Sequence, residues 1–250
     1  MTRKQPMQWL KSQTGMLKFY LNLFLNIEQK EKKMRVKVCG IKSTEDALMA
    51  VFYGADAIGL LVGQKHSSTD FIDKEFAKKI VSHLPPFCSS VFVTHLVDNE
   101  EIVSLAQFIG VTTIQLHGDS TPDDAQIIRE KIPYIKLIKS LHVVNEKSIA
   151  NGYGYLNAVD AILLDTVNLE TDQVGGTGIT HDWDLSREIV EKYRKPVFLA
   201  GGLNPENVNE AIQAVKPFGV DANSGTKGES GFKSNEKLKA FIHNAKNIIS

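Results

Sequence analysis

The sequence is poor in cysteine, with Cys39 and Cys88 as the only two among 250 residues. They form no CxxC pair, and no histidine cluster has the spacing of a zinc site, so we expect neither a disulfide framework nor a bound metal. So few cysteines in a chain of this size are typical of a reducing compartment. We therefore expect a cytoplasmic protein, in which one of the two thiols is free to do chemistry.

An excess of charge of either sign is also lacking. Lysine and arginine together number 29, and aspartate and glutamate together number 29. Without a net field, nothing favours binding to nucleic acid or to an acidic membrane, and we expect neither partner. The most apolar run near the N-terminus, MLKFYLNLFLNI at 16–27, is too short and too interrupted by polar residues to span a bilayer.

Residues 1–33 differ in composition from the rest, with no acidic residue before Glu28. A secretory signal would need a small-residue cleavage site that is missing here, and a transit peptide would contain more arginine and serine. We interpret 1–33 as an N-terminal extension, either helical or disordered, or as residues upstream of a start at Met34. A further hypothesis makes this extension an arm that docks onto a partner enzyme.

From Met34 to residue 250, short apolar runs alternate with helical patterns. The strand candidates are 36–39, 57–62, 89–96, 112–117, 135–140, 160–165, 196–201 and 219–223. Nearly continuous apolar runs are typical of parallel strands that are buried on both faces. Eight strand–helix repeats in about this length predict an α/β fold, a single (β/α)₈ TIM barrel. An open doubly wound sheet is the alternative, but the turn after the first strand reads CGIKSTED rather than GxGxxG.

Two segments rich in glycine follow the last two predicted strands, where barrels often bind phosphate. Gly201 and Gly202 allow a ligand close to the backbone, and 204–206 resemble a helix start whose N–H groups favour an anion. Ser224 and Gly225 offer a hydroxyl group and further backbone donors. A third cluster, GGTG at 175–178, contains Gly176 and resembles a loop that covers a substrate. We expect a phosphorylated small-molecule substrate.

Cys39 and Asp165 end the first and sixth predicted strands, at the catalytic end of a barrel. Cys39 is either a small buried hydrophobe or a thiol of lowered pKa that acts as a general base. Asp165 either caps the following segment or acts as a general acid, if burial raises its pKa. Cys88 precedes the third strand, and we assign it to packing.

Three more polar residues mark strand ends: Gln115, His117 and Asp221. We take them as candidates for substrate binding, although His117 could equally be a structural histidine. Lys37 lies two residues before Cys39 and therefore shares its face of the strand. A lysine that points into a barrel needs a partner, and Asp221 on the neighbouring strand is the predicted one.

The order of these segments resembles the phosphoribosylanthranilate isomerase family from about Arg35 to the last helix. The resemblance rests on KVCGI at 37–41, QLHG at 115–118, LLDT at 163–166, GGTG followed by HDW at 181–183, LAGGLNPENV at 199–208, and GVD with NSG at 219–225. It implies an Amadori rearrangement in tryptophan biosynthesis that needs no cofactor. It also implies that Asp165 donates a proton to the furanose oxygen, that Cys39 removes the C2 proton, and that the phosphate binds around Gly201, Gly202, Ser224 and Gly225.

The sequence departs from this family in the loop after the second strand. The family has an arginine there that holds the anthranilate carboxylate, whereas this loop reads GQKHSSTDFI at 63–72 and has none. Lys65 and His66, together with His95, are the candidates to replace it. Two explanations remain open: a variant anthranilate site, or a paralogue that isomerises another phosphoribosyl amine. A non-catalytic sugar-phosphate-binding barrel is the alternative from another class, and either a monomer or a homodimer fits.

Overall fold

The computed structural model describes residues 34–64, 68–168, 173–174 and 182–247, and for 167, 168, 173 and 174 it describes the backbone alone. Within these residues the chain forms one closed barrel of eight parallel strands, which follow one another around the barrel in chain order. The predicted (β/α)₈ barrel is therefore confirmed. The alternative of an open doubly wound sheet is wrong, because the first strand pairs with both the second and the eighth and leaves no edge.

The barrel strands fall where the apolar runs predict them. Their bounds are β1 Arg35–Val38, β2 Ala57–Leu61, β3 Ser89–Thr94, β4 Thr113–Leu116, β5 Lys136–His142, β6 Ala161–Asp165, β7 Val197–Leu199 and β8 Gly219–Ala222.

A helix follows each strand within the described residues. The bounds are α1 Thr44–Tyr53, α2 Lys74–Ser82, α3 Asn99–Ile109, α4 Pro122–Lys131, α5 Lys147–Tyr153, α6 Trp183–Lys192, α7 Val208–Val215 and α8 Asn235–Lys246. Ser43 and Asp98 accept backbone N–H groups at the starts of α1 and α3, as Ser/Asp caps do. Gly54 and Gly110 end these two helices in the left-handed conformation.

Side chains alternate along the strands between the helix layer and the barrel interior. In β1, Val36 and Val38 belong to the large apolar core that joins strands and helices. Lys37, between them, is buried inside the barrel, and Cys39 packs there against Val91 and Val93 of β3. The interior face of β1 therefore carries Lys37 and Cys39 toward the carboxyl end of the strand, the end at which barrel active sites lie.

Two local features differ from the sequence interpretation. A short antiparallel hairpin, Val167–Asn168 with Gln173–Val174, follows β6 and was not predicted. The helix after β7 begins at Val208, and 205–207 form a turn rather than its first residues. No helix in the described part of the chain is long and apolar enough to cross a membrane.

Candidate active site

A buried ion pair lies in the barrel interior below the mouth. Lys37 of β1 and Asp221 of β8 are in register on neighbouring strands, and Lys37 Nζ lies 2.6 Å from Asp221 Oδ2. Burial lowers the pKa of Lys37, but the negative charges of Asp221 and Cys39 outweigh it and leave the pKa raised. The predicted pairing is confirmed, and Asp221 Oδ1 keeps no hydrogen-bond partner among the described residues.

The Cys39 thiol lies at the top of β1, 8% exposed, and forms no disulfide. Burial raises its pKa, and the ammonium groups of Lys37 and Lys233 oppose that effect without cancelling it. The prediction of a lowered thiol pKa is therefore wrong for the described structure, because desolvation of a thiolate outweighs the nearby cations. Cys88 lies before β3, partly buried against the core, in agreement with a packing role.

Asp165 ends β6 and is buried, and burial raises the pKa of its carboxyl group to about 6. The Thr166 backbone N–H, 2.8 Å from Oδ1, opposes the rise, and the charge of Asp221 adds to it. Asp165 therefore accepts a hydrogen bond from the backbone of the segment that follows it, and it also has the raised pKa that a general acid needs. Lys37 and Asp221 influence the pKa of both Asp165 and Cys39.

Gln115, His117 and Ser140 form a hydrogen-bonded group beside Asp165. His117 Nδ1 lies 2.9 Å from Ser140 Oγ, to which Gln115 Nε2 donates at 3.0 Å. His117 Nε2 lies 3.6 Å from Asp165 Oδ2. Burial and the neighbouring charges hold the pKa of His117 well below its usual range, so its imidazole is neutral. Gln115 Oε1 has no hydrogen-bond partner within the described chain.

Two further histidines extend this group across the ends of β3 and β5. The ring of His95 lies 5.0 Å from that of His117, and the ring of His142 lies 5.8 Å from it on the other side. His95 Nδ1 contacts Gln64 Oε1. Sequence reasoning missed His142 because β5 extends two residues past its predicted end, and it missed Ser140 because a serine at the end of the predicted strand is not by itself a signal for a site.

The two glycine segments after β7 and β8 come together. Gly201 and Gly202 have φ of +81° and +65°, in the left-handed region that glycine favours. A Cβ on Gly225 would lie 2.1 Å from the Leu203 carbonyl oxygen, so the β8 loop packs directly on the β7 loop. Ser224 begins a short 3₁₀ turn in the loop after β8, Ser224–Thr226.

The helix start predicted at 204–206 does not offer free donors. Asn204 Oδ1 accepts the backbone N–H groups of Glu206 at 2.9 Å and of Asn207 at 3.0 Å. These two N–H groups therefore already have an acceptor, and this part of the anion-site prediction is wrong. Gly176, Lys65 and His66 lie outside the described residues, so their predicted roles stay predictions.

Comparison with known proteins agrees with the barrel fold. A family model described as N-(5'-phosphoribosyl)anthranilate (PRA) isomerase matches residues 36–244. The chain is 54% identical over 214 residues to N-(5'-phosphoribosyl)anthranilate isomerase 2 of Methanosarcina mazei, covering 86% of this chain and 95% of that protein.

Two solved structures are similar along almost their whole length. The phosphoribosyl anthranilate isomerase of Thermotoga maritima superposes with a TM-score of 0.75 at 38% identity, covering 85% of this chain and 98% of that one. A phosphoribosyl anthranilate isomerase in complex with reduced 1-(o-carboxyphenylamino)-1-deoxyribulose 5-phosphate gives a TM-score of 0.73 at 37% identity, with the same coverage. The chain therefore belongs to the N-(5'-phosphoribosyl)anthranilate isomerase family.

Proposed function

We propose that this chain isomerises N-(5'-phosphoribosyl)anthranilate to 1-(o-carboxyphenylamino)-1-deoxyribulose 5-phosphate, a step of tryptophan biosynthesis. The observation that carries the proposal is a buried carboxylic acid and a buried thiol, Asp165 and Cys39, whose pKa values are both influenced by the Lys37–Asp221 pair. A proton donor and a proton acceptor in one mouth are what an aldose-to-ketose rearrangement requires.

Asp165 acts first, as the general acid. With a pKa of about 6, about one in ten of the Asp165 carboxyl groups keeps its proton at pH 7 and can donate it. That proton goes to the furanose ring oxygen as the C1–O bond breaks, and the nitrogen lone pair forms the C1=N bond of an open-chain iminium ion, whose nitrogen keeps its hydrogen. The neutral imidazole of His117 beside Asp165 adds no positive charge that would favour early loss of the proton.

Cys39 acts second, as the general base. Its thiolate removes the proton from C2, and the C2–H electron pair forms a C1=C2 bond while the C1=N pair returns to nitrogen. The product is an enolamine, which loses the hydroxyl proton at C2 and gains a proton at C1 to become the ketone. Lys37 assists because its ammonium group favours the thiolate. No atom is gained or lost overall.

The remaining predicted residues would hold the substrate. Gly201, Gly202, Ser224 and Gly225 bind the phosphate with backbone N–H groups and one hydroxyl group. Asp221 Oδ1 and Gln115 Oε1, which have no hydrogen-bond partner among the described residues, accept hydrogen bonds from ribose hydroxyl groups. A thiol base needs a reducing environment, and we therefore propose the cytoplasm as its compartment.

The direct test uses the purified full chain with N-(5'-phosphoribosyl)anthranilate, without added metal or nucleotide, and follows the loss of substrate fluorescence. We expect turnover in the wild type and a loss of 10²-fold or more, roughly the value of one general acid or base, in Cys39→Ser and in Asp165→Asn. Cys88→Ser is the matched control and should keep full activity. Unchanged activity in both site variants would overturn the mechanism.

Two alternatives predict other outcomes. A non-catalytic binding barrel would bind the sugar phosphate at saturable sites without turnover. A paralogue with another aglycone would turn over a different phosphoribosyl amine and leave phosphoribosylanthranilate unchanged. Growth of a tryptophan auxotroph that lacks this isomerase, restored by the wild-type chain but not by Cys39→Ser, would exclude both.

A further inference from the structure

A cluster of charged side chains lies on the loops after β1, β2 and β8, beside Cys39. At its centre is Asp70, which is 5% exposed. Lys227 Nζ donates to both carboxylate oxygens of Asp70, at 2.6 and 2.5 Å, and Asn223 Nδ2 donates to Oδ2 at 2.9 Å. Lys42 Nζ approaches from the β1 loop and lies 3.9 Å from Asp70 Oδ1. Residues from three loops therefore meet on one carboxylate.

The cluster adjoins the thiol through Gly40 and Asn223. Gly40 follows Cys39 with φ +70°, and a Cβ there would lie 2.2 Å from Asn223 Oδ1. Lys233 Nζ donates to the Asn223 backbone oxygen at 2.9 Å and to Thr226 Oγ1 at 3.0 Å. Its charge is close enough to lower the pKa of Cys39. A ligand bound in this cluster would lie next to the proposed base.

Among the described residues, the charges in this cluster do not balance. Three ammonium groups, those of Lys42, Lys227 and Lys233, face two carboxylates, Asp70 and Asp46. Asp46 accepts the Lys233 backbone N–H, at 3.3 and 3.2 Å, rather than a lysine side chain. Buried or mostly buried charges are normally paired, so one net positive charge indicates a place for an anion.

Of the three lysines, Lys42 is the one whose ammonium group makes no hydrogen bond within the described chain. Lys227 is bound to both oxygens of Asp70, and Lys233 has three acceptors, including Asn223 Oδ1 at 3.2 Å. The Lys42 side chain is only 12% exposed, yet within the described chain the carboxylate oxygen that it pairs with lies 3.9 Å away, beyond hydrogen-bond distance, and the Asp46 carboxylate attracts it only over a longer distance. A bound carboxylate would therefore meet N–H groups that have no competing acceptor there.

An exposed aromatic ring lies next to this cation. Lys42 Nζ lies 4.7 Å from the centre of the Phe232 ring, and Phe232 is 46% exposed. A cation over a partly exposed aromatic ring fits a ligand that carries a carboxylate on an aromatic ring, because the ligand ring can pack near Phe232 while its carboxylate pairs with the cation. The ligand of the solved relative carries an o-carboxyphenyl group.

We infer that Lys42 binds the carboxylate of the substrate's aromatic aglycone, with Phe232 packed near the aglycone ring and the Asp70–Lys227 pair holding the loops in place. The inference rests on the proposed function and identifies a specificity residue for it. It also accounts for the missing arginine in the loop after β2: the positive charge comes from the β1 loop instead, while the β2 loop supplies Asp70 as a support.

The test measures equilibrium binding by calorimetry, which needs no turnover. The probes are reduced 1-(o-carboxyphenylamino)-1-deoxyribulose 5-phosphate and the same compound without its carboxyl group. We expect the wild type to prefer the carboxylated compound, and Lys42→Met to lower that preference by about tenfold or more, the value of a charge-assisted hydrogen bond. Lys42→Arg should keep the preference, and Lys239→Met, an exposed lysine on α8, is the matched control.

Each other outcome would overturn the inference. An unchanged preference for the carboxylated compound in Lys42→Met would overturn it. So would a loss of that preference in Lys65→Met or His66→Ala when Lys42→Met keeps it. The buried Lys139 lines a cavity of about 520 Å³ at the ends of β4 and β5, and a loss of the preference in Lys139→Met alone would also overturn the inference. A wild type that binds both compounds equally overturns this inference alone, whereas a wild type that binds neither overturns the proposed function.

Discussion

Lys37 and Asp221 are 184 residues apart in the chain, yet their charged groups meet at 2.6 Å inside the barrel. Both side chains are almost completely buried, with 2% and 6% of their surface exposed. Neither charge can be satisfied by water at that depth, so each depends on the other. The pair also influences the pKa of both the proposed acid and the proposed base.

The first prediction concerns the stability that depends on this pair. Lys37→Met leaves the Asp221 carboxylate buried without its cation and should lower the free energy of unfolding by about 3 to 5 kcal/mol. The double variant Lys37→Met/Asp221→Asn removes the uncompensated charge and should recover at least half of the loss. Urea unfolding measures both. Equal losses in the single and double variants would contradict the prediction, and Lys136→Met, an exposed lysine, should cost less than about 1 kcal/mol.

The second prediction concerns Asp165 and pH. Its pKa in the folded chain is about 6, above the ordinary 3.8, so the folded state binds the proton more tightly than the unfolded state does. Stability from this group is therefore present below pH 4 and is lost as pH rises from about 4 to 6. Asp165→Asn should be more stable than the wild type at pH 7 by about 2 to 3 kcal/mol.

The difference between Asp165→Asn and the wild type should vanish below pH 4, where both side chains are neutral. Urea unfolding at pH 3.5, 5 and 7 measures this trend. A wild type that is the more stable of the two at pH 7 would show that the ionised carboxylate is stabilised by the fold. Glu229→Gln, at an exposed position, should show no such dependence.

The third prediction concerns the reactivity of Cys39. In a Cys88→Ser background, alkylation by iodoacetamide should increase about tenfold per pH unit and should not level off below pH 9, because burial raises the pKa of the thiol. Lys233→Met should move the profile to higher pH, since the Lys233 charge lowers that pKa. Lys239→Met serves as the control. A rate that levels off near neutral pH would restore the lowered thiol pKa that the sequence led us to expect.

The fourth prediction concerns the phosphate site. Inorganic phosphate should inhibit turnover in competition with the substrate, and Ser224→Ala should weaken that inhibition by about tenfold, the value of a hydrogen bond to a charged group. Ser230→Ala, an exposed serine in the same loop, should leave the inhibition constant unchanged. Equal inhibition of all three proteins would place the phosphate away from Ser224.

Much of the fold could be predicted because it depends on local patterns. Runs such as AIGLLV and DAILLD are apolar on both faces, as expected of a parallel strand that packs against helices on one face and the barrel interior on the other. Caps such as Ser43 mark the starts of the helices between the strands. The order of these elements then places Cys39 and Asp165 at the mouth, because the carboxyl ends of all eight strands meet there.

The sequence could not predict the pKa of Cys39, since that depends on how far water is excluded and on the distances to Lys37 and Lys233. It also could not predict that Asn204 uses the N–H groups of the expected helix start. The assignment of residues 1–33 as a separate extension stays a prediction, as do the roles of Lys65, His66 and Gly176.

The sequence by itself determined the barrel and the family, because strand periodicity and motif order are properties of neighbouring residues, and it led us to propose Cys39 and Asp165 for the two proton transfers. The tertiary structure alone decided which distant groups meet. It pairs Asp70 with Lys227, and it places the Lys42 ammonium group over the Phe232 ring, where no described acceptor lies within hydrogen-bond distance of it. Electrostatic energies depend on distance and burial rather than on separation along the chain, so only the folded barrel reveals where a carboxylate can bind.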